Sequence, residues 1–240
     1  MKLNDKVALI TGASRGLGLS IARALAAEGA TIAAMARPGA ELDQAVAALT
    51  AGGARAVAAP ADVTSAAAVN GAVQAVADRY GRLDILVLNA GTWQGALIRE
   101  TTDAMWDGLI DLNLKGAFLA LRAAIPHLTA RRGATVVGIA SLGGWVGQPG
   151  SAAYAASKYG LRGLLESAAL ELKPDRVRVS IVSPHNINSA GREIAPGEER
   201  DKNLEPAEIA SLVAWICAAP DHVSVGNVTI WPLAAGIRGR

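Results

Sequence analysis

Short apolar runs alternate along this chain with longer Ala-rich segments in which apolar positions recur every three or four residues. The runs suit strands buried on both faces, and the longer segments suit helices that bury one stripe. Strands are predicted at 7–11, 30–36, 55–59, 83–88, 135–140, 177–182 and 227–231. Helices are predicted at 16–28, 40–51, 65–80, 102–131 with a break near Asn113, 151–172 and 206–218. This rhythm of βα units predicts an α/β fold, a doubly wound, mostly parallel seven-stranded sheet with helices on both faces. No linker rich in Pro, Ser or charge divides the chain and no long repeat is visible, so residues 1–240 are expected to form one domain. Residues 183–205 are the one long irregular stretch, expected to be a flap over a crevice at the strands' carboxyl ends.

Composition narrows the function classes. Hydrophobic residues make up 51% of the 240 and charged residues 18%, enough apolar surface for a large core and against disorder. The formal net charge is +2 and Arg131-Arg132 is the longest basic run, so the chain offers no field suited to nucleic acid. Cys217 is the single cysteine and His127, His185 and His222 are scattered. No internal disulfide forms from one thiol, and a zinc-dependent alcohol dehydrogenase would lack its ligands, so no metal is expected. No apolar stretch reaches the roughly 18 residues that a membrane span needs, and the expectation is a soluble, cytoplasmic protein.

Two stretches carry candidate chemistry. The run T11-G12-A13-S14-R15-G16-L17-G18 follows the first strand and opens the first helix, the context in which glycines let a backbone approach a pyrophosphate at a helix start. It predicts a Rossmann-like cofactor cradle. An NAD site is expected to place an acid at the end of the second strand, where this chain has Ala36-Arg37. Arg37, with Arg15 inside the loop, can pair a ribose 2′-phosphate, which predicts NADP(H) over NAD(H); each is otherwise a solvated surface charge. Asp62, followed by Val63, is placed either to accept from an adenine amino group or to cap the next helix. Asn89, in L88-N89-A90-G91, reads first as a group that satisfies backbone between strands.

The second stretch runs from Ser141 to Lys158. Ser141 closes a β-branched run and so sits at a strand's carboxyl end, while Tyr154 and Lys158 leave one helix face a turn apart. A phenol's unperturbed pKa is about 10, and a nearby ammonium is expected to lower it and make the pair an acid/base candidate.

With the glycine loop, L-N-A-G, Asn113, Ser141 and Tyr154-x-x-x-Lys158 in this order, the chain resembles the short-chain dehydrogenase/reductase family from about Lys6 to Val182. The resemblance implies Tyr154 as proton donor or acceptor, Ser141 as the hydroxyl that polarises the substrate oxygen, and Lys158 as the group that holds the nicotinamide ribose and lowers the phenol's pKa. It implies that Asn113 anchors a water leading to that lysine. It also assigns Gly12, Ser14, Arg15, Gly16, Leu17, Gly18, Arg37, Asp62, Val63, Asn89, Ala90 and Gly91 to the cofactor, with Tyr154 and Lys158. The family's usual Pro-Gly and later threonine become S183-P184-H185-N186-I187-N188-S189, so Pro184, Ile187 and Ser189 are expected at the nicotinamide. His185 replaces a glycine, expected to change the local backbone or else to point into the pocket. Trp93, Gly143, Gly144, Trp145, Tyr159, His185 and residues 187–203 are the expected pocket lining; Trp93 and Trp145 serve equally as packing residues. The activity implied is an NADP(H)-dependent carbonyl reductase or alcohol dehydrogenase on a small organic molecule, as a homodimer or homotetramer. The alternatives are reduction of 3-oxoacyl groups on a carrier protein and a non-catalytic NADP(H)-sensing protein.

Overall fold

The computed structural model describes residues 2–188 and 202–234. Its seven strands are β1 Val7–Thr11, β2 Thr31–Ala36, β3 Ala56–Pro60, β4 Ile85–Leu88, β5 Thr135–Ile139, β6 Arg178–Pro184 and β7 Asn227–Ile230. They form one sheet in the order β3-β2-β1-β4-β5-β6-β7, and every pairing is parallel. The helices are α1 Gly16–Ala27, α2 Ala40–Ala51, α3 Ala66–Tyr80, α4 Asp103–Ile110, α5 Gly116–Thr129, α6 Ala152–Glu171 and α7 Pro206–Cys217.

Both faces of the sheet are covered. Leu9, Met35, Leu86, Val136 and Ile181 point to one side, where Val69, Val73 and Val76 of α3, Leu121 and Leu128 of α5 and Leu161 and Leu165 of α6 close over them. Their neighbours Ile10, Ile32, Val87, Val137 and Val182 point to the other, under Ile21 and Leu25 of α1, Leu42 and Leu49 of α2 and Ile209 and Val213 of α7. Alternation along a strand sends successive side chains to opposite faces, and covering both faces is what makes these strands continuous apolar runs. At about 1.5–3 kcal/mol per fully buried large aliphatic side chain, the two layers are the main force holding the sheet.

The strand order reverses between β1 and β4, because β2 and β3 lie to one side of β1 and the remaining strands to the other. In such sheets the connections diverge there and leave a crevice at the carboxyl ends. The loops after β1, β4 and β5, with the start of α6, all open at that end.

The predicted break near Asn113 is a π-helical turn, Asp111–Lys115, between α4 and α5. The wide turn adds a residue to the helix surface and turns Asn113 fully inward. The strand predicted from residue 83 begins at Ile85: Asp84 is buried at its foot, where its carboxylate accepts from Val7 N (2.9 Å) and from Arg82 Nε (2.7 Å). Of the predicted flap, residues 189–201, Ser189 included, lie outside the described residues. The chain on either side of them is joined, with Asn188 N donating to Leu204 O (2.8 Å) and Leu204 N to Asn186 O (2.8 Å).

Candidate active site

The glycine loop is shaped by contacts that leave no room for side chains. Gly12 has φ +67°, and a Cβ there would stand 2.9 Å from Ala90 Cα; one on Gly18 would collide with Gly12 O. Asn89 fixes the crossing, its Nδ2 donating to Thr11 O (3.0 Å) and Gly12 O (3.2 Å). Thr11 Oγ1 accepts from Asn89 N and Ala90 N, both at 3.0 Å, so the strand ends of β1 and β4 are tied where the sheet divides. Asn89 therefore has the structural role read from its sequence. The N-cap of α1, Arg15, makes no capping bond and the first turn carries no acid, so the positive end of the helix stays open to an anion. This cradle fits a dinucleotide's pyrophosphate.

Around it, Ser14 Oγ donates to Glu41 Oε2 (2.9 Å) and Arg15 Nη1 lies 3.4 Å from Glu41 Oε1. The carboxylate that β2 lacks at its end thus arrives from the first turn of α2. Asp62 Oδ1 accepts from Thr64 N (2.9 Å) and Thr64 Oγ1 (2.8 Å), the capping arrangement. Those bonds, backbone first, hold its carboxyl below the usual range, with a smaller pull from Arg37. Val63 is buried against Gly116, where a Cβ would stand 2.9 Å from its Cγ2.

Ser141, Tyr154, Lys158 and Asn113 converge beside this loop. Ser141 Oγ accepts from Gly143 N (3.1 Å), and its side chain lies close enough to the Tyr154 phenol to pull that group's pKa down. Gly143 lies over the phenol, a Cβ there being 3.1 Å from Tyr154 Cε1. Lys158 is buried, donates from Nζ to Ile139 O (3.0 Å) and stands 5.9 Å from the centre of the Tyr154 ring. A Cβ on Gly91 would be 3.6 Å from Lys158 Nζ and 3.0 Å from Asn113 Oδ1, which places the loop after β4 against both groups.

The electrostatics differ from expectation. Burial pushes the Tyr154 phenol above its ordinary pKa, with the Ser141 bond pulling the other way. Burial alone brings Lys158 down to about 8. Desolvation of the phenol outweighs the expected lowering by the ammonium, whose Nζ is directed to the Ile139 carbonyl. Asn113 is held by protein partners: Nδ2 donates to Thr92 O (2.9 Å) and Ser157 Oγ (3.0 Å), and Oδ1 accepts from Thr92 N (2.8 Å). Its amide is spent on struts, with one acceptor lone pair left over.

The expected pocket residues are spread around this centre. Trp145 donates from Nε1 to Ser183 Oγ (3.0 Å). Trp93 is 64% exposed on the loop after β4, which is pinned where Ala96 N donates to Gly150 O (2.9 Å). Tyr159 is 40% exposed on α6. His185 does not bend the backbone: its N–H donates to Ile230 O (2.9 Å), carrying on the ladder in which Pro184 pairs Ile230. Among the described residues the non-glycines with positive φ are Asp5 and Arg176, so a histidine in the glycine's place is unstrained. Ile187 forms a bridge with Leu204.

Several contributors were missed from sequence. Ser157 Oγ donates to Tyr154 O (2.7 Å) while accepting from Asn113, which ties the π turn to α6; its place between Tyr154 and Lys158 was the available signal. Thr11, Glu41 and Ser183 had none beyond their positions at element ends.

A family model described as short chain dehydrogenase matches residues 6–198, most of the chain. The protein belongs to the short chain dehydrogenase family. An uncharacterized oxidoreductase of Methylorubrum extorquens is 38% identical, over 95% of this chain and 96% of its own length. A 3-oxoacyl-[acyl-carrier-protein] reductase of Thermotoga maritima is 32% identical, over 95% and 96%. The crystal structure of a metagenomic short-chain oxidoreductase in complex with NADP superposes with a TM-score of 0.85 at 36% identity, covering 97% of this chain and 99% of that one. This short chain dehydrogenase is accordingly an oxidoreductase with a Rossmann-like α/β fold.

Proposed function

We propose that this protein is an NADP(H)-dependent carbonyl reductase or alcohol dehydrogenase. The observation that carries the reading is the convergence of Ser141, Tyr154 and Lys158 beside the glycine cradle, at the point where the strand order reverses. When bound, the nicotinamide supplies or accepts the hydride. The residues do the rest. As hydride arrives at a carbonyl carbon, negative charge builds on the oxygen; the Ser141 hydroxyl, beside the phenol, turns its proton to it and Tyr154 delivers the proton. In oxidation Tyr154 takes the proton from the alcohol. Burial holds the phenol in its protonated form, the form that the reducing direction needs, and Lys158, buried within reach of Gly91, holds the ribose hydroxyls.

Gly12, Gly16 and Gly18 with the start of α1 take the pyrophosphate. Arg15 and Arg37 take the 2′-phosphate, a preference supported by the NADP bound in the metagenomic relative. We place a small ketone, aldehyde or alcohol between Trp93, Trp145 and His185, whose rings would line its site. The carrier-protein reading, raised by the Thermotoga relative, needs a basic docking surface at the entrance. Arg131 donates from Nη2 to Gly81 O (2.8 Å) beyond the C-terminus of α5, before β5 begins, while Ser141 follows the end of β5. The basic pair therefore lies across the sheet from the chemistry, and the free carbonyl reading is favoured. The intact Ser141, Tyr154 and Lys158 argue against a purely sensing role.

Among the described residues no helix is long and apolar enough to cross a membrane, in keeping with a cytoplasmic enzyme. Trp106 on α4, Phe118 on α5 and Leu170 on α6 are exposed apolar groups, and we place the contacts of a homodimer or homotetramer on these helices.

A panel of aldehydes, ketones and alcohols with NADPH and NADH, followed by nicotinamide absorbance, tests the reading. Turnover with NADPH at higher kcat/KM than with NADH is expected, and Tyr154→Phe is expected to lower kcat by about 10²–10⁴-fold with NADPH binding retained. Equal or better efficiency with NADH removes the cofactor preference; a Tyr154→Phe variant within tenfold of wild type removes the acid/base role.

A further inference from the structure

We propose that Arg162 is a positioning residue, a guanidinium clamp that fixes the loop carrying the Ser141 hydroxyl against α6. The inference rests on the reading of Ser141 given above. Arg162 continues the stripe on α6 begun by Tyr154 and Lys158, one further turn along the same face. Its Nη1 donates to Gly144 O (2.8 Å), and its plane covers the Trp145 ring at 4.1 Å from the centroid and faces Tyr159 at 5.3 Å. Its Nε lies 3.4 Å from Glu166 Oε1, an ion-pair contact rather than an aligned hydrogen bond. The same Glu166 oxygen accepts from Asn227 Nδ2 (2.9 Å) at the start of β7. One side chain thereby joins the loop after β5, the helix of the acid/base pair and the edge of the sheet.

The loop has little freedom between these holds. A Cβ on Gly144 would stand 3.0 Å from Lys158 O, so its backbone lies directly on α6. Trp145, covered on one face by Arg162, is tied from Nε1 to Ser183 Oγ (3.0 Å), a buried group on β6. Inside that frame Ser141 Oγ accepts from Gly143 N (3.1 Å), so the direction in which the hydroxyl presents its proton follows the 143–145 backbone. Tyr154 and Lys158 follow α6 instead, and Arg162 couples the two. A guanidinium is suited to this task because its face stacks on an aromatic ring while its edge donates in plane; an ammonium cannot do both. Release of the clamp moves the hydroxyl relative to the phenol, and misplacement of a donor by about an ångström reduces turnover by up to about a hundredfold. The glycine loop shares none of these contacts, so cofactor affinity stays.

The test uses Arg162→Met, which keeps the stem, and Arg162→Lys, which keeps the charge. It reads kcat and KM on a carbonyl that the wild type reduces, NADPH affinity by fluorescence titration, and hydrogen exchange of peptides spanning residues 142–147. Arg162→Met is expected to lower kcat about tenfold or more, with the NADPH Kd unchanged and faster exchange confined to that loop. Arg162→Lys is expected to rescue little. Trp145→Phe combined with Arg162→Met is expected to cost less than the product of the single effects. Wild-type kcat in Arg162→Met overturns the proposal, as does a loss of kcat that falls in step with thermal stability and NADPH affinity. Should the wild type turn over no carbonyl at all, the reading of the function fails, and unchanged loop exchange in Arg162→Met separately overturns the clamp.

Discussion

Lys158 shows how burial and function pull on one residue. Its folded pKa of about 8 lies below its ordinary 10.5, so folding favours the neutral amine. Below about pH 8 both folded and unfolded chains hold the proton, and the folded state carries the full desolvation penalty, at most on the order of 3 kcal/mol. Between about 8 and 10.5 the unfolded chain binds more protons, and this group's penalty is relieved as pH rises. Lys158→Met is therefore expected to stabilise the protein at pH 7 and to lose most of that advantage by pH 10, as urea titrations at both values would measure. A constant difference across the two pH values would mean that the buried amine keeps its proton as firmly as the unfolded one, with no lowered pKa. The spacing of Tyr154 and Lys158 was legible in the sequence because helical periodicity is local. The direction of the phenol's shift was not, because desolvation and the Ile139 carbonyl that takes the amine come from strands and loops distant in the chain.

At the scale of elements, the boundaries followed the apolar pattern closely, since β-strands buried on both faces leave continuous runs and the helices keep one stripe. What the pattern could not supply was how α2 meets the glycine loop. The first turn of α2 sets Glu41 against Ser14 and Arg15, so a carboxylate stands beside one of the two cations we assign to the 2′-phosphate. In the proposed NADP(H) site it would compete for Arg15 and repel the phosphate. Glu41→Gln is expected to tighten binding of 2′,5′-ADP about two- to fivefold, within the range of an exposed ion pair, and to leave 5′-ADP unchanged. Calorimetry at low salt is the measurement, because added salt screens the effect. Equal tightening of both ligands would place Glu41 away from the 2′ position. The π turn between α4 and α5 is a second case: a break was readable near Asn113, but only packing against Thr92 and Ser157 shows that its amide holds the loop after β4 and helix α6 together.

For the whole molecule, the sheet order places every group of the candidate site on one side and Arg131 on the other, a separation no reading of composition provides. The apolar groups left on α4, α5 and α6 bear on assembly. Sedimentation velocity is expected to show a dimer or tetramer, and Phe118→Asp with Leu170→Asp is expected to shift it toward monomer with the fold retained. A wild-type monomer at micromolar concentration would remove the proposed pairing.

The sequence by itself determined the alternation of strands and helices, the glycine turn and the chemical identity of Ser141, Tyr154 and Lys158, because each is written in neighbouring residues through backbone sterics and helical spacing. Tertiary structure alone decided which of them touch and with what charge. Asn113 meets Ser157 across 44 positions, Trp145 meets Ser183 across 38, and Arg15 meets Glu41 across 26. Such distances are set by the closing of the sheet, where burial removes water and fixes both the partners and the cost of a charge.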